Sequence, residues 1–167
     1  IVIGGGAGAF PPVIGWAAVT GNTPLDAWIL FAIIFFWTPP HFWALGLLAH
    51  GEYEKAGVPM LPVTHGAKAT RLQMLIYTLI LVPLTLAPVV TGLGGWVYGV
   101  TAAILCAVFL SYAVRVFVSQ AGDDDCSAAE KKLARGMFLF SILYLFVTFA
   151  ALIVEHAFGL YFPVGVF

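Results

Sequence analysis

A histidine beside two prolines, in the run Trp37-Thr38-Pro39-Pro40-His41-Phe42-Trp43, is the first feature of this sequence with chemistry in it. Proline has no N–H and clashes with the carbonyl four residues back, so two in succession are expected to break and kink a helix. His41 stands next to that break, inside an apolar stretch. A neutral imidazole can ligate a metal, shuttle a proton or make a buried hydrogen bond. The plainer alternative is a packing histidine beside a structural kink. The combination of kink, histidine and nearby aromatics favours a site, because ionisable groups at membrane depth are costly to keep.

The second feature is the stretch that starts Ala49-His50-Gly51-Glu52-Tyr53-Glu54-Lys55 and continues through His65 to Arg71. A connection of about 20 residues is long, and such loops are often lids or sites. Glu52 and Glu54 are carboxylates of the kind that hold Mg²⁺. Lys55, Lys68 and Arg71 are of the kind that hold phosphate. Composition alone allows a solvated loop of mixed charge equally well. Asp123-Asp124-Asp125, with Glu130 nearby, tempts one towards a metal site. Sequence neighbours point different ways on a helix, and Gly122, Ser127 and Ala128 mark a loop, so solvated acids neutralised by Lys131, Lys132 and Arg135 are expected.

Weaker signals have plainer readings. Gly4-Gly5-Gly6-Ala7-Gly8 looks like a nucleotide-binding run, but no strand precedes it and no acid follows at the right distance, so close helix packing is expected. Tyr77, Tyr112, Ser141 and Tyr144 are polar handles expected to pack with a local hydrogen bond. Pro83 and Pro88 are expected to kink their helix. Glu155 and His156 are expected at the outer surface, Cys106 in the core and Cys126 in a loop.

The elements that must position these residues follow from charge. Of 167 residues, 15 are charged (9%) and 62% are apolar, with net charge −1; mean hydropathy is +1.02. About a quarter charged is usual for a soluble domain. These values exclude a soluble globular protein and a disordered one, and the lack of a basic run argues against a nucleic-acid binder. Two cysteines make neither a disulfide framework nor a zinc site. All charges fall outside five apolar stretches, Val2–Thr20, Ala27–Ala49, Leu72–Thr91, Trp96–Val114 and Gly136–Val154. Each is long enough to cross a hydrocarbon core of about 30 Å as a helix. The fold class is therefore all-α, a polytopic membrane bundle of five spanning helices. All seven basic residues fall on one side, in 50–71 and 115–135, which the positive-inside rule places in the cytoplasm, with the C-terminus opposite. Trp28, Trp96, Tyr161 and Phe162 fit an aromatic belt. The chain opens in an apolar run without Met or a basic n-region, so residue 1 is expected to be internal to a longer protein.

Several stretches together resemble a known family. They are Gly8-Ala9-Phe10-Pro11-Pro12, Gly15-Trp16-Ala17-Ala18, Trp37 to Leu45, Ala56-Gly57-Val58-Pro59-Met60-Leu61-Pro62, Thr70-Arg71-Leu72-Gln73 and Phe140-Ser141-Ile142-Leu143-Tyr144. The sequence is similar over its whole length to the protohaem IX farnesyltransferase (haem O synthase) family of the UbiA-type intramembrane prenyltransferases. The resemblance implies a nine-helix fold, of which residues 1–167 are the C-terminal part of a single domain. It implies transfer of farnesyl from farnesyl diphosphate to a vinyl group of haem B, with water addition. The products are haem O and diphosphate, on the way to haem A, with haem A synthase as a downstream partner. It implies Mg²⁺ between two acidic loops: one upstream of residue 1, the other around Glu52-Tyr53, with Glu52 and Glu54 as metal ligands and Glu52 and Tyr53 as catalytic residues. Many members carry two acids before that tyrosine, where this chain has Gly51-Glu52. Lys68 and Arg71 would hold the diphosphate; His41, Trp37 and Trp43 would contact haem or the allylic cation. This stretch alone would lack half the metal site and be inactive. The compact loops point to a bacterial inner membrane. Two other functions remain open: a polyprenyltransferase for an aromatic or quinone precursor, separable by product analysis, and a haem-binding subunit, which paired histidines on facing helices would favour and which His41, the one histidine deep in an expected span, counts against.

Overall fold

The computed structural model describes residues 2–123 and 125–160, with the backbone alone for Val2, Ile3, His50 and Glu54. Tyr161, Phe162 and Asp124 lie outside the described residues. The order is α1 (Val2–Ala9), α2 (Pro11–Thr20), α3 (Leu25–Leu48), α4 (His50–Lys55), α5 (Leu61–Thr91), α6 (Trp96–Val118) and α7 (Ala128–Ala157), with no strand among the described residues. Four helices, α3, α5, α6 and α7, are long and apolar enough to cross a membrane. The protein is a multi-pass membrane protein. Val2–Thr20, expected as one span, is instead two helices that meet at Phe10. Pro11 and Pro12 remove two successive donors, and proline in a first turn suits a new helix better than a continuing one.

Pro39 and Pro40 have the opposite outcome. α3 runs through both, so the expected break does not occur. Thr38, Pro39 and Pro40 are all buried, whereas Phe10 and Pro11 are exposed. Packing on the bundle holds α3 helical where the backbone has lost two rungs. The expected loop 50–71 is also mostly helical. α4 fills its first part and α5 begins at Leu61, with a local break at Gly66 (φ 81°, ψ 162°).

α3 packs on α5, α5 on α6, α6 on α7 and α7 back on α3, closing a four-helix bundle, with α1 and α2 against α3. The buried positions show why. On α5 they include Ala67, Arg71, Met74, Thr78, Leu81, Thr85 and Pro88. On α7 they include Ala134, Met137, Ser141, Tyr144, Thr148, Ala151 and Glu155. Both series step alternately by three and four, the 3.5-residue period of a left-handed supercoil. The inward residues are mostly small or polar, with Met74, Leu81 and Met137 among them, while Leu79, Ile104, Phe146 and Ile153 are exposed. Small residues allow close approach where lipid tails remove any hydrophobic bias between helix faces.

Each buried hydroxyl is satisfied. Thr70, Thr78, Thr85 and Thr148 donate to carbonyls four residues back at 2.7–2.9 Å. Tyr98 donates to the Thr85 carbonyl at 2.7 Å, and the Tyr144 hydroxyl meets Thr85 Oγ1 at 2.6 Å. Glu155 is fully buried rather than at the surface. Its carboxylate accepts the Gly95 N–H at 2.8 Å and the Val97 N–H at 3.0 Å, capping the positive end of α6.

At the other end, Ser127 and Glu130 form a capping box for α7, and Glu130 also accepts the Gln120 N–H at 2.6 Å. Asp123 pairs with Arg71 on α5 at 3.0 Å, not with the lysines that follow it. Gly122 (φ 87°) fits this loop over Leu47 and Ala67. A Cβ there would lie 2.5 Å from Leu47 Cδ2 and 3.1 Å from Ala67 Cβ. Gly122→Ala should therefore destabilise by about 3 kcal/mol, from left-handed backbone strain plus overpacking. Thermal unfolding in detergent reads this, and an unchanged midpoint would contradict the packing.

Candidate functional site

His41 lies on α3 about 10 Å along the axis from the C-terminal end of that helix. Its ring faces α7. Nδ1 is 2.6 Å from Ser141 Oγ, and Ser141 Oγ is 2.6 Å from the Phe138 carbonyl. Trp37, one turn earlier, stacks on the imidazole at 4.4 Å and 17°, and Phe138 does so at 4.8 Å and 21°. Phe42 meets it edge-on at 5.3 Å. The Trp37 indole N–H donates to the Ser141 carbonyl at 2.8 Å. Positions 37 and 41 share a helix face, so the sequence spacing already placed these two together. Ser141 and Phe138 come from a segment 100 residues away. Their only sequence signal was a serine in an apolar span.

Trp43 does not join this group. It is buried on the other side of α3, edge-on to Tyr77 at 5.3 Å. Tyr77 also touches Phe36, at 5.7 Å.

Two apolar cavities flank Trp37. One, of about 620 Å³, lies among α1, α3 and α7, bounded by Gly4, Gly8, Ile34, Thr38, Phe42 and Leu145. The other, of about 440 Å³, runs along the α3–α7 groove past Ile142, Phe146 and Phe149. Trp37, Ile34 and Leu145 belong to both, so the two adjoin. The glycine run is helical and lets α1 come close. A Cβ on Gly5 would be 3.0 Å from Thr38 Cγ2.

Apart from Asp26 and Glu155, the described charged residues gather at the end of the bundle that holds the α6–α7 loop. Glu52 is exposed in the first turn of α4, and Tyr53 beside it is partly buried. Glu54 follows in the same helix, with its side chain outside the described residues. Lys68 is exposed beside a cavity of about 450 Å³ that it shares with His65, Leu72 and Phe117. Arg71, three residues on, is turned inward. Its Nη1 donates to the Ala121 carbonyl at 2.7 Å and to Asp123 at 3.0 Å, while its buried Nε has no partner. Arg71 thus ties α5 to the α6–α7 loop.

No three acidic, histidine or cysteine side chains converge on a cation site among the described residues. Glu52 is an exposed carboxylate at the charged end. One or two carboxylates with substrate phosphates and water suffice for Mg²⁺, so the residues present fit part of such a site. The apolar chamber beside Trp37 suits a long apolar chain, and the charged side chains of α4 and the start of α5 lie at the bundle end beyond the C-terminus of α3.

The chain is similar to named proteins. It is 74% identical to "Protoheme IX farnesyltransferase" of Hyphomonas neptunium, over 98% of this chain and 52% of the relative. The protein of the same name from Caulobacter vibrioides is 56% identical, over 95% of this chain and 52% of the relative. That from Maricaulis maris is 57% identical, over 96% and 51% respectively. The chain therefore spans about half the length of the curated relatives it matches. No solved structure matches it. The family model described as the UbiA prenyltransferase family matches residues 1–142. With that match over most of its length, the chain belongs to the UbiA prenyltransferase family.

Proposed function

We propose that this chain is the C-terminal part of an intramembrane enzyme domain that farnesylates haem B to haem O. The observation that carries this reading is His41, held against Trp37, Phe138 and Ser141 beside an apolar chamber, in a chain 74% identical to a protoheme IX farnesyltransferase. The chamber would take the farnesyl chain and keep its allylic cation from water. His41 would contact the haem, through iron or as a hydrogen-bond partner of the macrocycle. Trp37 would offer a π face to the cation.

The chemistry needs three events. The allylic C–O bond breaks and its electron pair leaves with diphosphate. The haem vinyl π pair then forms a C–C bond to the allylic carbon. Water adds to the resulting cation beside the porphyrin and releases a proton, which gives the hydroxyl of haem O. Mg²⁺, held by Glu52 and by acids outside this chain, would supply neutralisation of the leaving diphosphate. Glu54 and Tyr53 stand in the same turn of α4, Tyr53 beside the leaving group. Lys68 is free to add positive charge there. Arg71 would contribute through its position under the α6–α7 loop, as its Nη1 is already engaged. Trp43 would support the opposite side of α3 rather than touch haem.

We place the enzyme in a bacterial inner membrane with the charged end in the cytoplasm, on the positive-inside rule. Its product would pass to haem A synthase. Residues 1–167 alone should be inactive, as they carry one part of the cation site.

Full-length protein in membranes, given haem B, farnesyl diphosphate and Mg²⁺, should yield haem O by mass analysis of extracted haem. Glu52→Gln should lower turnover by about 100-fold, the scale of losing charge stabilisation of a leaving group. Haem O at wild-type rate from that variant would move the cation to other ligands. No haem O from a folded wild type would overturn the reaction. His41→Ala should weaken haem binding while leaving farnesyl diphosphate binding unchanged, as read by separate titrations. Full haem affinity and turnover in His41→Ala would remove His41 from the site.

A further inference from the structure

We propose that Ser141 is a positioning residue whose hydroxyl fixes His41 as the Nδ1–H tautomer, leaving the Nε2 lone pair as the group His41 offers to a bound porphyrin. The porphyrin half of this statement rests on the function proposed above; the tautomer half rests on geometry alone.

A serine hydroxyl has one proton to donate and can accept as well. Ser141 Oγ is 2.6 Å from the Phe138 carbonyl oxygen, which can only accept. The proton must lie between those two oxygens, since two lone pairs at that distance would repel. Oγ is also 2.6 Å from His41 Nδ1. With its proton committed to Phe138, Oγ can only accept from the ring, so Nδ1 carries a hydrogen. A neutral imidazole protonated at Nδ1 has its lone pair on Nε2. Among the described residues no hydrogen bond reaches Nε2, and the ring is partly exposed.

The ring's rotation is fixed by the same two helices. Trp37 and Phe138 both stack on it, so tilting the imidazole forfeits both contacts, and a half-turn that keeps the plane takes Nδ1 away from Ser141 Oγ. Ser141 cannot drift away, because its carbonyl accepts the Trp37 indole N–H at 2.8 Å. Ser141 thus holds α3 through its carbonyl and His41 through its hydroxyl. It is fully buried, so water does not compete for either bond. Histidines that ligate metals almost always donate their second N–H to an acceptor, which sets the tautomer and raises the basicity of the ligating nitrogen. Here the acceptor is a hydroxyl whose own proton is fixed by a backbone carbonyl.

The test uses full-length protein in lipid nanodiscs with nitrogen-15 histidine and no haem. The His41 signals, assigned by their loss in His41→Gln, should show hydrogen on Nδ1 and a bare Nε2. Ser141→Ala, nearly isosteric, should release the constraint and bring in the Nε2–H form. Trp37→Phe removes the indole donor but keeps a stacking ring and the hydroxyl, so the Nδ1–H form should persist. Hydrogen on Nε2 in the wild type, or an unchanged tautomer in Ser141→Ala, would overturn the proposal. So would equal loss in Trp37→Phe, which would mean general loosening between α3 and α7. In haem titrations, Ser141→Ala should bind haem about 10-fold more weakly, the lower end seen when a ligand's hydrogen-bond partner is lost. Farnesyl diphosphate affinity should not move. A switched tautomer with haem affinity unmoved in both Ser141→Ala and His41→Gln would overturn the porphyrin half and, with it, the haem reading of His41.

Discussion

Hydrocarbon offers no hydrogen bonds, so every polar group in this bundle must find its partner inside the protein. That constraint shapes the seams. On α5 and α7 threonine, serine, tyrosine, arginine and glutamate are buried beside small residues, Met74, Leu81 and Met137, while other apolar residues such as Leu79, Phe146 and Ile153 face outward. A polar residue on the seam is locked by partners on a neighbouring helix or on its own backbone. Tyr98, Thr85 and Tyr144 link α6, α5 and α7 in this way. Glu155 links α7 to the start of α6. Ser141 links α7 to α3. The Ser141 link holds His41, whose Nε2 takes no hydrogen bond among the described residues, next to Trp37 on the chamber wall.

Much of this was legible in the sequence, and for physical reasons. Charge excludes itself from hydrocarbon, so the spanning parts of four long helices appeared as uncharged runs; α5 and α7 begin 11 and 8 residues before those runs, because their first turns carry the charges at the bundle end. His41 announced itself because an imidazole at membrane depth needs a reason to be there. Trp37 came with it by helical spacing. The seams were not legible, since helices apolar all round show no favoured face, and the inward residues stand out only once the bundle closes.

Three other features needed the third dimension. Pro11-Pro12 and Pro39-Pro40 are the same dipeptide, yet the first separates two helices and the second sits within one. The difference is burial, which one chain segment cannot reveal. Arg71 read as a phosphate-holding cation and is instead a buried tie to Ala121 and Asp123, made across about 50 residues of sequence. Glu155 read as a surface acid at a helix end. Its two partners are backbone N–H groups of another helix, which carry no residue-type signal.

In the proposed function the prenyl chain would lie against Trp37, between α1, α3 and α7, with its anionic head towards Glu52 and Lys68. The most direct measurement is photolabelling of the full-length enzyme by a farnesyl diphosphate analogue with a photoreactive group at its hydrocarbon end. Peptides would then be mapped by mass spectrometry. The account predicts labels on α1, α3 and α7 around Gly8, Trp37 and Leu145, suppressed by excess farnesyl diphosphate. Suppressible labels confined to α6, around Ile104 and Val108, would contradict it.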